Sequence, residues 1–171
     1  MKPAALLLFA AAAACSPTVY LIRHGEKPDD DDVTGLSAEG VQRAQCLRSV
    51  FGASSSYNIE YIMAQAYKSD GSRIRPYDTV LPLATDLGLT VDTSCDRDDS
   101  ECVADVVNDY SGSGNILICW EHKRLNNIVE ELGADDVDNY DSDRYDIIWT
   151  DPYPYTEITA ENSENCHGLD D

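Results

Sequence analysis

Residues 18–29 read Thr-Val-Tyr-Leu-Ile-Arg-His-Gly-Glu-Lys-Pro-Asp. Val19, Tyr20, Leu21 and Ile22 form a short β-branched and apolar run, the mark of a buried strand. It ends abruptly on Arg23 and His24, followed by Gly25 and Glu26. The chain has only three histidines. One of them beside a guanidinium, where a strand gives way to a loop, is a candidate working part.

Outward from that strand, apolar runs alternate with helical patterns. Residues 36–52 predict a helix with Ser37 as N-cap, Val41, Ala44, Leu47 and Phe51 on its inner face, and Gly52 beyond its end. Residues 58–66 predict a second strand. Residues 76–88 predict a helix opened by Pro76 and closed by Gly88. Pro82 lies inside it and is expected to split it into two pieces. A short strand (89–94), a helix (101–111), the apolar strand Asn-Ile-Leu-Ile-Cys-Trp (115–120), a helix (123–133) ending at Gly133 and a last strand (145–150) complete the order. Strand followed by helix, repeated, predicts an α/β protein of three α/β/α layers with a mostly parallel sheet. In such sheets ligands bind beyond the C-terminal ends of the strands. Arg23 and His24 stand there. So do Lys68, Arg73 and Arg75 after the second strand, and Glu121, His122, Lys123 and Arg124 after residues 115–120.

The net charge is −20, from 32 acidic and 12 basic residues. Such a chain repels nucleic acid and anionic membrane surfaces, and neither is expected as a partner. Acidic runs at 29–32, 96–101 and 135–143 read as solubilising loops. The last lacks the spacing and glycine of a dedicated calcium loop. Against this background seven cations (Arg23, Lys27, Lys68, Arg73, Arg75, Lys123, Arg124) gather in three connections at one sheet edge. That edge suits a small anion, since the arginine fork matches phosphate oxygens and helix N-termini add partial positive charge. Lys27, Lys123 and Arg124 are read as ordinary surface charges.

The first fifteen residues hold one Lys, the apolar stretch Ala4–Ala14 and Cys15. The run is too short to span a bilayer and reads as a signal peptide, with secretion the expected fate. A lipoprotein reading through Cys15 lacks the usual leucine. Residues 16–171, about 155 of them, are enough for one domain with its own core. Cys95 and Cys102 bracket a short polar loop and are expected to close it as a disulfide in an oxidising compartment. Cys46 and Cys119 read as buried thiols, Cys166 as a possible staple for the tail. The odd count leaves one thiol free, with the pairing of Cys46, Cys119 and Cys166 open. No C-x-x-C pair supports a zinc or thioredoxin-like site. His167 reads as a solvated tail residue, and Trp120 and Trp149 as core.

"LIRHGE" followed by "LSAEGVQRAQCL" resembles the opening of the histidine phosphatase superfamily, the phosphoglycerate mutase-like fold. "RPYDTVLPLA", with Arg75 and Thr79, resembles its second arginine motif. "NILICWEH" resembles its last motif, a strand ending in the second histidine. The resemblance covers about residues 18–150. It implies a phosphomonoesterase acting on small phosphorylated substrates, with His24 as nucleophile through a phosphohistidine and with Arg23, Arg75 and His122 around the phosphoryl oxygens. No metal or other cofactor is implied. The general acid is the open position: where some relatives place an acid directly after the second histidine, this chain has Lys123. Glu121 is the nearest candidate, although alternation along a strand would turn it away from His122. A competing expectation is a non-catalytic relative that keeps the anion pocket as a binding or structural protein. A mutase is disfavoured by the short domain and by the leader.

Overall fold

The structure, a computed structural model, describes residues 16–30 and 32–170; the expected leader and Cys15 lie outside the described residues. Strand β1 (Thr18–Arg23) shows why its neighbours are apolar on both faces. Val19 and Leu21 enter one core, and Ile22 enters another on the opposite face. A strand buried on both faces reads as a continuous apolar run rather than an alternating one.

The remaining elements are α1 (Ala38–Val50), β2 (Ile59–Ala64), α2 (Arg75–Leu87), β3 (Val91–Asp92), α3 (Ser100–Asp109), β4 (Asn115–Trp120), a 3-10 turn (His122–Arg124), α4 (Leu125–Leu132), β5 (Ile147–Pro152) and β6 (Ala160–Ser163). The sheet order is β3-β2-β4-β1-β5-β6. The β3–β2, β2–β4 and β4–β1 pairs are parallel, while β5 and β6 add antiparallel pairs at one side. Ile116, Ile118 and Trp120 of β4 pack with α3 and α4 through Val103, Val107, Leu125, Ile128 and Val129. Leu117 and Cys119 pack with α1 and α2 through Leu47, Phe51, Val80 and Leu83. Helices cover both faces, and the α/β/α expectation holds.

Four local expectations change. Helix α2 is unbroken although Pro82 lies inside it. Pro82 offers no N–H to the carbonyl of Asp78, but Val80, Leu83 and Ala84, on both sides of the proline, are buried and hold the helix to the sheet. Val41 is 51% exposed. The inner face of α1 is instead Gly40, Arg43, Ala44 and Leu47, the i, i+3, i+4, i+7 set of one helix face. The helix expected over 123–133 starts as a 3-10 turn at His122 and becomes α-helical only at Leu125. The last strand begins at Ile147, not Tyr145, and a further edge strand, β6, follows it.

Cys95 and Cys102 are bonded, as expected, and Cys46 bonds Cys166 across 120 residues. Among the described residues Cys119 is the free thiol, buried in β4. Trp120 and Trp149 are core residues, and His167 is exposed. Among the described residues no helix is long and apolar enough to cross a membrane.

Candidate active site

The parallel strands β1, β2 and β4 all end at one edge, and that edge carries the polar residues that the sequence singles out. His24 follows β1 and is held in register with β4 by its backbone N–H, which donates to the Trp120 carbonyl at 3.1 Å. The residue is 6% exposed. Nδ1 lies 2.8 Å from the Gly25 carbonyl. A carbonyl only accepts, so Nδ1 carries the hydrogen and Nε2 keeps its lone pair. Burial drives the proton affinity of this histidine down to about 4, with Arg23, Arg75 and His122 adding to the effect and the Gly25 carbonyl opposing it. His24 is thus neutral over most of the physiological range.

Gly25 is small because α1 arrives here. A Cβ on Gly25 would stand 3.0 Å from the Gly40 carbonyl oxygen, and one on Gly40 would stand 2.5 Å from that of Glu26. Two backbones cross where any side chain would separate them, which explains the glycine in each of the first two motifs. Ser37 completes the joint: its N–H donates to Glu26 at 2.9 Å, and its hydroxyl caps α1 by accepting from Gly40 N–H at 3.1 Å. Thr79 ties in α2, its Oγ1 accepting from Gly25 N–H at 2.9 Å and donating to the Arg75 carbonyl at 2.7 Å.

The cationic groups are oriented by backbone carbonyls rather than neutralised by carboxylates. Arg23 Nη1 donates to Ser142 and Arg144 carbonyls at 2.7 and 2.8 Å. Its guanidinium carbon lies 3.7 Å from the centroid of the Tyr145 ring. Its Nε is buried with no hydrogen-bond partner. Arg75 donates to the Gly35 carbonyl at 2.9 Å and to that of Val33 at 2.7 Å. Fixing guanidinium groups by neutral acceptors leaves their charge uncompensated, as an oxyanion site requires.

His122 begins the 3-10 turn after β4 and is half-buried. Burial lowers its proton affinity and Arg23 lowers it further; the Glu121 carboxylate opposes both. Glu121 is not turned away. Its backbone is still extended, but the chain turns at the next residue into the 3-10 turn, and Glu121 Oε1 comes within 3.2 Å of His122 Nδ1. Its backbone N–H donates to Gln65 Oε1 at 3.1 Å.

Arg23, His24, Arg75, His122 and Glu121 therefore converge, as the strand ends suggest. Arg73 and Arg124 do not join them. Arg73 pairs with Asp96 at 2.8 Å and Asp98 at 3.7 Å, and Arg124 pairs with Asp98 at 2.9 Å. These pairs rim the site beside the Cys95–Cys102 loop. Five contributors escape sequence reasoning. Ser142 lies in what reads as a solubilising acidic run, Arg144 just beyond it, and Tyr145 in what reads as the start of the last strand. Gln65 looks like part of a strand but is a buried brace. Arg43 looks like an ordinary helical cation but is 1% exposed and binds Glu26, Glu164 and Asp170 at 2.6, 2.6 and 2.8 Å.

No protein-family profile matches the sequence, and no curated protein does. Solved structures do. The protein histidine phosphatase SixA complexed with tungstate is 15% identical with TM-score 0.59, covering 86% of this chain and 97% of its own. A candidate phosphohistidine phosphatase SixA from Agrobacterium tumefaciens is 13% identical with TM-score 0.57, covering 86% and 98%. A candidate α-ribazole-5′-P phosphatase from Escherichia coli K-12 is 16% identical with TM-score 0.53, covering 87% and 97%. The chain has the phosphoglycerate mutase-like fold of the histidine phosphatases.

Proposed function

We propose that this chain is a metal-independent phosphomonoesterase that works through a phosphohistidine on His24. The carrying observation is His24 itself: buried, neutral, fixed through Nδ1, and next to three cationic or potentially cationic groups. Nε2 attacks phosphorus in line, the bond to the leaving oxygen breaks, and water then cleaves the N–P bond to release inorganic phosphate. Arg23, Arg75 and His122 hold the non-bridging oxygens as charge redistributes. Nitrogen donors of this kind supply the electrostatic role that a metal serves elsewhere.

The substrate is a small or exposed phosphoryl group. The strongly acidic surface disfavours polyphosphorylated ligands by repulsion that salt would weaken. Phosphohistidine of a partner protein is one member of this class, consistent with the activity that names the SixA neighbours. The two disulfides support an extracellular or otherwise oxidising location, with residues 1–15 as the leader.

The test is release of phosphate from an aryl phosphate between pH 4 and 8, for wild type and His24→Ala, with and without a chelator. Activity should rise through about pH 4 as the nucleophile loses its proton, resist chelation, and vanish in the variant. An acid-labile phosphoryl-enzyme should form only in wild type. A folded wild type inert toward the aryl ester would refute the reading.

A further inference from the structure

The carboxylate nearest to the reacting histidines does not stand alone. Glu121 Oε1 is 3.2 Å from His122 Nδ1, an ion-pair distance. The ring nitrogen is buried and makes no hydrogen bond in this arrangement. A small rotation of the Glu121 side chain, which is 20% exposed, would align the carboxylate on it. The Glu121 backbone cannot drift, because Gln65 holds its N–H and is itself 2% exposed. Gln65 is held in turn, its Nε2 donating to the Arg73 carbonyl at 3.4 Å. With Nδ1 directed to Glu121, Nε2 is the His122 nitrogen left for a bound phosphoryl group.

We propose that Glu121 is a positioning residue acting on His122, and that His122, rather than Glu121, hands the proton to the leaving oxygen. This rests on the phosphatase reading above. In the first step the His24 Nε2 lone pair forms the N–P bond and the P–O bond breaks. Nε2–H of the His122 imidazolium moves from the non-bridging oxygen it holds in the bound ester to the leaving oxygen, and gives it the proton as the P–O bond lengthens. In the second step water adds to phosphorus and gives its proton to the now neutral His122. The N–P electron pair returns to His24, inorganic phosphate leaves, and the imidazolium is restored. The site thereby handles phosphomonoesters of alcohols, whose leaving groups need a proton, and not only activated aryl esters or phosphoramidates.

The charged groups that act on His122 are Arg23 from β1, Lys27 from the following loop, Lys123 beside it, and Glu121, with the His24 ring also near. Three of these are cations. Glu121 is the adjacent carboxylate that counters them, so its removal should empty the imidazolium state at a pH where wild type still populates it. Its carboxylate partly offsets the loss of charge that burial and the neighbouring cations impose.

The experiment compares wild type, Glu121→Gln and Glu121→Asp on a series from dinitrophenyl phosphate through phenyl phosphate to an alkyl phosphate. The His122 imidazole titration is followed by NMR in each protein. For wild type, the pH at which alkyl ester turnover falls should match the His122 midpoint. In Glu121→Gln both should move together to lower pH. The rate ratio of alkyl to dinitrophenyl ester at pH 6 should drop by roughly tenfold or more. Glu121→Asp, which keeps the carboxylate, should recover most of that ratio. If Glu121→Gln abolishes the alkaline limb instead of displacing it, Glu121 is itself the donor and the proposal is overturned. An unchanged ratio overturns it as well. Wild type without activity on any ester overturns the phosphatase reading, and this inference with it; wild type active on aryl esters alone overturns only this inference.

Discussion

Asp151→Asn should stabilise the protein at pH 8 and leave it unchanged at pH 4. Asp151 lies in β5 opposite Val19 and is 0% exposed. Neither carboxylate oxygen has a hydrogen-bond partner. The nearby Tyr155 hydroxyl donates elsewhere, to the Pro17 carbonyl at 3.0 Å. Burial without compensation pushes this carboxyl from its ordinary 3.8 up to about 7. The folded state therefore prefers the protonated form. Its contribution is fully present below the unfolded value near 3.8 and is lost as the pH rises through about 7. At about 1.36 kcal/mol per pH unit, a rise of roughly three units is worth about 4 kcal/mol as an upper bound. Asparagine has the same shape and does not ionise. Urea unfolding with the disulfides intact, at pH 4 and pH 8, measures the difference directly. The variant should exceed wild type by roughly 2–4 kcal/mol at pH 8 and match it to within about 1 kcal/mol at pH 4. A difference independent of pH would show that Asp151 is ionised and solvated at its ordinary affinity, and the argument from burial would fail. Comparing variant with wild type also cancels Glu164, which burial raises to about 8.

Other outcomes are fixed by the same geometry. Tyr145→Ala should weaken inhibition by inorganic phosphate roughly five- to thirtyfold, through loss of the ring 3.7 Å from the Arg23 guanidinium. Tyr145→Phe should retain it, since the face and not the hydroxyl makes the contact. Gly40→Ala forces a Cβ to within 2.5 Å of the Glu26 carbonyl and must displace the loop after His24. Activity on an aryl phosphate should fall by roughly 100-fold while circular dichroism reports a folded protein. Opening Cys46–Cys166, which closes 120 residues, should lower denaturant stability by about 5 kcal/mol. Opening Cys95–Cys102, which closes 7, should cost about half as much.

What the sequence reveals of the site depends on how each residue is held. Arg23, His24 and His122 sit at strand ends, and strand ends are legible because unbroken apolar runs stop there. Thr79 and Arg75 are legible because a helix start is marked by its own residues. Tyr145 is not: it reads as the first residue of the last strand, whereas it reaches Arg23 from the loop before β5, in the opposite half of the chain. The 119-residue separation between Arg23 and Ser142 leaves no local pattern. Strand β6, with the sequence Ala-Glu-Asn-Ser, has neither alternation nor β-branched residues. It exists because β5 offers an open antiparallel edge, which is tertiary information. Glu121 escapes strand alternation for a similar reason. The bend that brings it to His122 belongs to the 3-10 turn and is not encoded in the apolar run before it.

The C-terminal residues, which resemble nothing in the motifs, turn out to brace the first of them. After β6 the chain places Glu164 and Asp170 on Arg43, and Cys166 on Cys46 one turn along the same helix. Arg43 passes that constraint to Glu26, two residues beyond the nucleophile. One guanidinium faces three carboxylates in a buried cluster, so an extra proton there is favoured, and Glu164, pushed up to about 8, is the group placed to carry it. Replacing Arg43 by an apolar residue would leave buried carboxylates without a counter-charge, a change that costs far more than the pair itself contributes. The loop after β1 is therefore set from both ends of the chain: by the close approach of Gly25 and Gly40 on one side, and by a tail stapled through a disulfide on the other. A nucleophile whose reactivity depends on a buried, neutral, fixed ring needs such a frame, because any loosening that admitted water would raise the proton affinity of His24 and remove its lone pair from use.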